Sequence, residues 1–440
     1  MRKKIVIYTS IVSLFLISLM CVYLYFHYEL KVMTIQPLVY DVETNQLTIM
    51  VTKKTHFFHK NFTCTLYDDN TSMIGTGKNN TCTISFPIGS HYTLLLEDPY
   101  QKSISYDLLD YLDNMLEFDF TFDTIYLTVG ETKQLDYHYK SINGEIGDFT
   151  TESDIITIDG DVITAESIGT ATIQKDDLTL NIVVTDLVTQ PTIIKNKEIL
   201  PCNRYSEEEG TLLDQMLAYK VSEAGYQTRA GVVAAARFLA LQFPYKIPYF
   251  YENGRVNHTG VNFADGEGRY YHKGLYLTDS KKQYIVASVS GPVIWGCPLS
   301  NWEDDPDFGY IWGVKKPNGF DCSGFVSWVL YNGGFDPGDL GAGDSYTDDE
   351  LTDLGDFRLL TQDLVNSDVI KAGDLFNYWG HIAIIIGVDD EHYYVAETLP
   401  NYGGVVVNTY KKSRITNEFT HVEFMDSYYK EDGNYTRYWE

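Results

Sequence analysis

The chain has 440 residues, is 44% hydrophobic, and carries 33 Lys and Arg against 61 Asp and Glu, a formal net charge of −28. That length exceeds one ordinary core and calls for about two to four domains. The charge excludes a phosphate backbone as a partner, so no nucleic acid is expected; it gains nothing from an anionic membrane surface or wall polymer and suits solubility in a crowded extracellular layer.

At the N-terminus, Arg2, Lys3 and Lys4 precede an uncharged apolar run from Ile5 to Phe26. As a helix that run spans roughly 33 Å, enough for a hydrocarbon core of about 30 Å. A cleaved signal has a shorter apolar region and a small-x-small site, which is missing here. Met20 is bulky where a lipoprotein signal ending at Cys21 wants a small residue. The reading is a single-pass transmembrane anchor over residues 1–28, with its basic flank cytoplasmic and everything after about residue 28 outside. The alternative, a cleaved export signal, gives the same placement of the remaining chain.

Six cysteines are present: Cys21, Cys64, Cys82, Cys202, Cys297 and Cys322. Outside the cell, Cys64 and Cys82, in two similar alternating stretches, are expected to pair, and Cys202 and Cys297 form a plausible second pair. Cys322 is then left over. No CxxC or Cys/His spacing points to zinc, and no cofactor is expected.

Residues 29–117 alternate in short apolar runs, LTIMVT, FTCTLYD, TCTISF and HYTLLLE, separated by Asn, Asp and Gly turns. They read as a small β-sandwich, with DLLDYLDNMLEF adding a short helix at its end. Residues 118–188 carry short strands with turns every eight to twelve residues or so. Here TVGET followed by SDIITIDGDVITAESIGTATI resembles the bacterial Ig-like domains of surface proteins, which implies a spacer or adhesive module.

Residues 189–204, with Pro191 and Pro201, read as a linker. The last unit, 205–440, begins with two expected helices. SEEEGTLLDQMLAYKVSEAG has Ser206 as cap and Glu207 to Glu209 in its first turn, and TRAGVVAAARFLALQF ends at Pro244. Aromatic, Gly-rich loops fill 245–310. The acidic run Glu303, Asp304, Asp305 and Asp307 lacks the EF-hand pattern and reads as a solvated loop rather than a calcium site.

The chemistry centres on NGFDCSGFVSW, residues 318–328. Cys322 could be a nucleophile, half of a disulfide, or a small buried residue. Phe325, Val326, Trp328 and Val329 have helical spacing, and Asp321 can cap that helix, placing Cys322 in the first turn. The positive end of the helix dipole stabilises a thiolate there. Downstream, KAGDLFNYWGHIAIIIG presents His381 at the start of an apolar strand, and the hairpin partner YYVAE brings Glu397 beside it. A catalytic histidine needs a third group to fix its tautomer and ring, and Glu397 can supply that. His421 is the reserve for this role. His392 lies an odd number of residues from Glu397 and faces away on a regular strand.

With those three blocks in order, YIWGVKKPNGFDCSGFV, KAGDLFNYWGHIAIIIG and YYVAE, residues from about 290 to 440 resemble the NlpC-type cell-wall peptidases. The resemblance implies a papain-like α+β domain that hydrolyses amide bonds in peptidoglycan stem peptides. It implies Cys322 as nucleophile, His381 as general base and Glu397 as the third residue. Tyr310, Asp321 and Ser323 match positions lining the cleft, the latter two holding the free amine of the stem peptide. Two departures stand out. Val314 replaces a glycine, and Glu397 stands where the family commonly has His or a neutral polar residue. Glutamate also fits related amidases that cut the sugar–peptide amide, and a catalytically dead wall-binding or adhesion protein remains a third reading. The expected architecture is multidomain: an N-terminal transmembrane helix, two all-β Ig-like sandwiches and a C-terminal α+β papain-like domain.

Overall fold

The computed structural model describes residues 15–23, 30–41, 46–54, 61–67, 72–77, 80–87, 92–99, 102–108, 117–140, 148–175, 178–250, 256–258, 273–280, 285–287, 294–300, 306, 309, 311, 313–337, 341–342 and 351–439. At the N-terminus residues 15–23 are helical. Among the described residues no helix is long and apolar enough to cross a membrane. The expected transmembrane anchor over residues 1–28 is therefore not supported, and the rest of that segment lies outside the described residues. So do most of DLLDYLDNMLEF and, apart from Pro306, the acidic run from Glu303 to Asp307.

The first module contains strands β1 (Val32–Asp41), β2 (Gln46–Lys53), β3 (Phe62–Tyr67), β4 (Ser72–Gly77), β5 (Thr81–Pro87), β6 (Thr93–Glu97) and β7 (Ser103–Asp107). They form two antiparallel sheets, β1-β2-β5 and β4-β3-β6-β7. Strict alternation in β2 sends Leu47, Ile49 and Val51 inward, to meet Leu66, Phe86 and Leu94 in one core. The Cys64–Cys82 disulfide joins β3 to β5 and so staples one sheet to the other. A loop of that size contributes roughly 3 kcal/mol in the chain-entropy view.

The second module holds β8 (Glu117–Phe120), β9 (Thr124–Thr128), β10 (Thr132–Gln134), β11 (Tyr137–Lys140), β12 (Ile156–Asp159), β13 (Val162–Ala165), β14 (Gly169–Lys175) and β15 (Leu178–Thr185). Its sheets run β10-β13-β12, β11-β8 and β14-β15-β9, with β9 parallel to β15. Ile125, Leu127, Ile163, Ile173 and Ile182 fill the space between them. One more residue joins this core, Tyr219 from the next unit, whose ring lies 5.1 Å from Phe122 and 5.6 Å from Tyr126.

Tyr219 belongs to α1 (Glu207–Ala224), which carries the expected Ser206 cap with a reciprocal bond from Glu209. α2 (Arg229–Arg237) follows, capped by Thr228 and prolonged by a π-helical turn over Phe238–Gln242. Next come the short pairs β16 (Val256–His258) with β17 (Ile285–Ala287) and β18 (Pro298–Ser300) with β19 (Lys315–Pro317), and then α3 (Cys322–Asn332). The remaining elements are β20 (Asp356–Leu359), α4 (Gln362–Asn366), β21 (Leu375–Tyr378), β22 (His381–Val388), β23 (His392–Leu399), β24 (Gly404–Lys411), β25 (His421–Phe424) and α5 (Asp426–Tyr429).

These strands make one antiparallel sheet in the order β20-β25-β21-β22-β23-β24. Every residue of β22 is buried, because both sheet faces are covered. Ile382, Ile384 and Ile386 meet α2 and α3 through Val232, Ala236, Val326 and Val329. Ala383 and Ile385 face the other way, with Tyr393, Val395, Val365 of α4 and Phe419. The helices before residue 245 are thus part of the core behind the sheet. Arg229 of α2, fully buried, fixes that union. It donates to Asp374 at 2.8 Å, Asp426 at 2.8 Å, Asp432 at 2.9 Å and the Ala372 carbonyl at 3.0 Å.

Candidate active site

The segment before Cys322 is held from three sides. Asn318 donates its backbone N–H to the Cys297 carbonyl at 2.8 Å and accepts from Gly296 at 2.9 Å. The Cys202–Cys297 disulfide anchors that loop to the segment just before α1. Phe320 bonds through its backbone to Pro248 and Phe250, and its ring packs edge-on against Trp295 at 4.7 Å. Gly319 is required by close approach, since a Cβ there would lie 1.8 Å from the Pro248 carbonyl oxygen.

Asp321 then caps α3. Its backbone is extended and its Oδ1 accepts from the Gly324 N–H at 2.8 Å. Cys322 is therefore the first helical residue, at the end where N–H groups lack intrahelical partners. Ser323 is buried and donates to the same Asp321 oxygen at 3.2 Å. Tyr310 lies outside the described residues.

Cys322 meets the sheet at the β21–β22 hairpin. Tyr378 pairs with His381, leaving Trp379 and Gly380 as a two-residue turn, with Gly380 at φ +75°. The Cys322 Sγ donates to the Gly380 carbonyl at 3.8 Å. His381, only 4% exposed, follows directly as the first residue of β22. Its Nε2 lies 2.8 Å from Glu397 Oε2. Glu397 thus takes one ring nitrogen and leaves Nδ1 for proton exchange.

Glu397 is 1% exposed, and its other oxygen accepts from Asn408 Nδ2 at 2.8 Å and Tyr410 Oη at 2.7 Å. A buried carboxylate survives as a charge only when bonded in this way. Burial alone would pull the His381 imidazole down. Hydrogen bonding to Cys322 and Glu397, with the charges of both, outweighs burial and raises it to about 9. Burial and the Glu397 carboxylate push the Tyr410 phenol up, so Tyr410 stays a neutral donor. Tyr378, whose ring lies 4.8 Å from His381, is raised by burial and by the charges of Glu397 and Cys322.

The structure thus brings Cys322, His381 and Glu397 into one line, with His381 hydrogen-bonded to Glu397 and Cys322 against Gly380, the residue before His381, and it sets Asp321 and Ser323 beside the thiol. His421 is directed elsewhere: its Nδ1 bonds Thr420 Oγ1 at 2.9 Å and its ring stacks on Phe357 at 4.6 Å. Asn408 and Tyr410 were not singled out from sequence. The signal was there in the hairpin register, which pairs Glu397 with Val406 and so puts Asn408 and Tyr410 on the same face.

Residues 308–423 match the model of the NlpC/P60 family, a family of cell-wall cysteine hydrolases, so the C-terminal region carries that family's signature. The matched stretch contains α3, β21, β22 and β23 and with them all three residues of the line. No curated protein matches the chain.

Proposed function

We propose that the C-terminal region hydrolyses an amide bond in a peptidoglycan stem peptide through a cysteine-thiol mechanism. The observation that carries this reading is the Cys322–His381–Glu397 line, its imidazole and carboxylate buried and its thiol half-exposed at a helix N-terminus. His381 takes the Cys322 proton through Nδ1, and Glu397 stabilises the imidazolium from Nε2. The thiolate attacks the carbonyl carbon, and backbone N–H groups at the start of α3, that of Cys322 among them, receive the oxyanion. His381 then gives its proton to the departing amine. Water, deprotonated by His381, attacks the thioester and frees the carboxylate and the thiol. Asp321 and Ser323 hold the free amine of the stem peptide next to the scissile bond. Two disulfides favour work outside the cytoplasm.

The test is titration of the intact chain with iodoacetamide, followed by digestion of purified cell-wall sacculi. Peptide mapping separates Cys322 from the other free cysteine, Cys21. Hydrolysis is expected to fall in step with carboxamidomethylation of Cys322. Full activity with Cys322 completely modified would refute the mechanism.

A further inference from the structure

Among the described residues, Trp379 is the most exposed large hydrophobic side chain, at 76%. An indole buries up to about 250 Å² when covered, so an exposed one offers a large apolar face to a ligand. Its backbone lies next to the thiol. Trp379 is half of the two-residue turn between β21 and β22, and the other half, Gly380, touches the Cys322 sulfur with its carbonyl. So short a turn, paired on both sides, fixes the Trp379 backbone one residue from the carbonyl that touches the Cys322 sulfur.

We propose that Trp379 is a specificity residue that stacks on a pyranose ring of the glycan strand carrying the stem peptide. The inference rests on the amide-hydrolase reading above. Its chemistry is that of an aromatic face meeting a broad C–H face. In that polymer the sugar rings supply such faces, whereas stem-peptide side chains are short or charged. Glycan-linked peptide is then a better substrate than the same peptide alone.

The experiment compares kcat/KM of the full chain on a stem peptide attached to its disaccharide and on the same peptide free. Wild type is expected to prefer the linked form by about threefold to tenfold, the range an aromatic contact supplies. In Trp379→Ala the ratio falls to about one, with Trp379→Phe between. A ratio unchanged by the substitution overturns the proposal, including when both substrates lose activity equally, and so does a wild type without preference. A second arm needs no catalysis. In the Cys322→Ala chain, the Trp379 indole N–H resonance is followed while the peptide-free disaccharide is added. It is expected to shift, and a silent resonance overturns the platform. If wild type cuts neither substrate, the amide-hydrolase reading fails, and this titration still decides whether Trp379 binds sugar.

Discussion

His381 Nε2 lies 2.8 Å from Glu397 Oε2, and both side chains are shut away from water, 4% and 1% exposed. A carboxylate in that position does more than orient a ring: it holds positive charge on the imidazole. Glu397→Gln keeps the shape and removes the charge. Activity on wall peptides is expected to fall about a hundredfold or more, in kcat rather than KM. A variant within twofold of wild type would remove Glu397 from the mechanism.

The pH dependence follows from His381 at about 9. The folded imidazole binds its proton more tightly than the unfolded one, at about 6.5. Its contribution to stability is complete below pH 6.5 and is lost as pH rises through about 9. The rate should likewise fall on the alkaline side near 9, where His381 can no longer protonate the leaving amine. In Glu397→Gln that alkaline limb should move to lower pH. An unmoved limb in a kcat/KM profile would show that another group sets it.

Asn408 and Tyr410 satisfy the second oxygen of Glu397. Asn408→Ala and Tyr410→Phe each leave a buried carboxylate short of a donor, costing about 1–3 kcal/mol. Thermal unfolding should show the loss, and kcat should drop with KM little changed. Because the two donors share one oxygen, the double variant is expected to depart from the sum of the singles.

Much of the site was legible before any fold. DCSG fixes a cap and a helix start, GH opens an apolar strand, and YYVAE is its hairpin partner, so local rules place all three groups. The transmembrane reading of the N-terminus rested on hydropathy, which counts apolar residues; among the described residues no helix is long and apolar enough to cross a membrane. The union of α2 with the sheet was also hidden. Arg229 sits in TRAGVVAAAR like any helix-surface arginine, and its partners Asp374, Asp426 and Asp432 are more than 140 residues away.

Arg229 therefore makes a test of the core. Arg229→Ala leaves Asp374 buried without its counter-ion, and such breaks cost about 3–5 kcal/mol. The pair replaced together, Arg229→Met with Asp374→Leu, should recover much of that loss in denaturant unfolding. Recovery absent, with α5 displaced, would assign the stability to Asp426 and Asp432 instead.

Glu423 offers a second pH signature. It is fully buried on β25, and its Oε1 accepts from the Gly355 N–H at 2.6 Å, while its Oε2 has no partner among the described residues. Burial pushes this carboxyl up to about 8. The folded state therefore keeps a proton that the unfolded chain releases from about pH 4.3. Stability is present below that pH and declines as pH rises through 8. Glu423→Gln should flatten this part of the curve and be more stable than wild type at pH 8. An equal slope in both proteins would show that Glu423 is ionised in the fold.

Sacculi digested with the intact chain and with Cys322→Ala, and analysed as muropeptides by mass spectrometry, decide whether Cys322 cuts a wall-peptide amide. New amino termini within the stem peptide, made by wild type alone, are the expected result; new termini on the first L-Ala would instead mark the sugar–peptide amide as the bond cut. Identical products from both proteins would show that Cys322 is not the nucleophile.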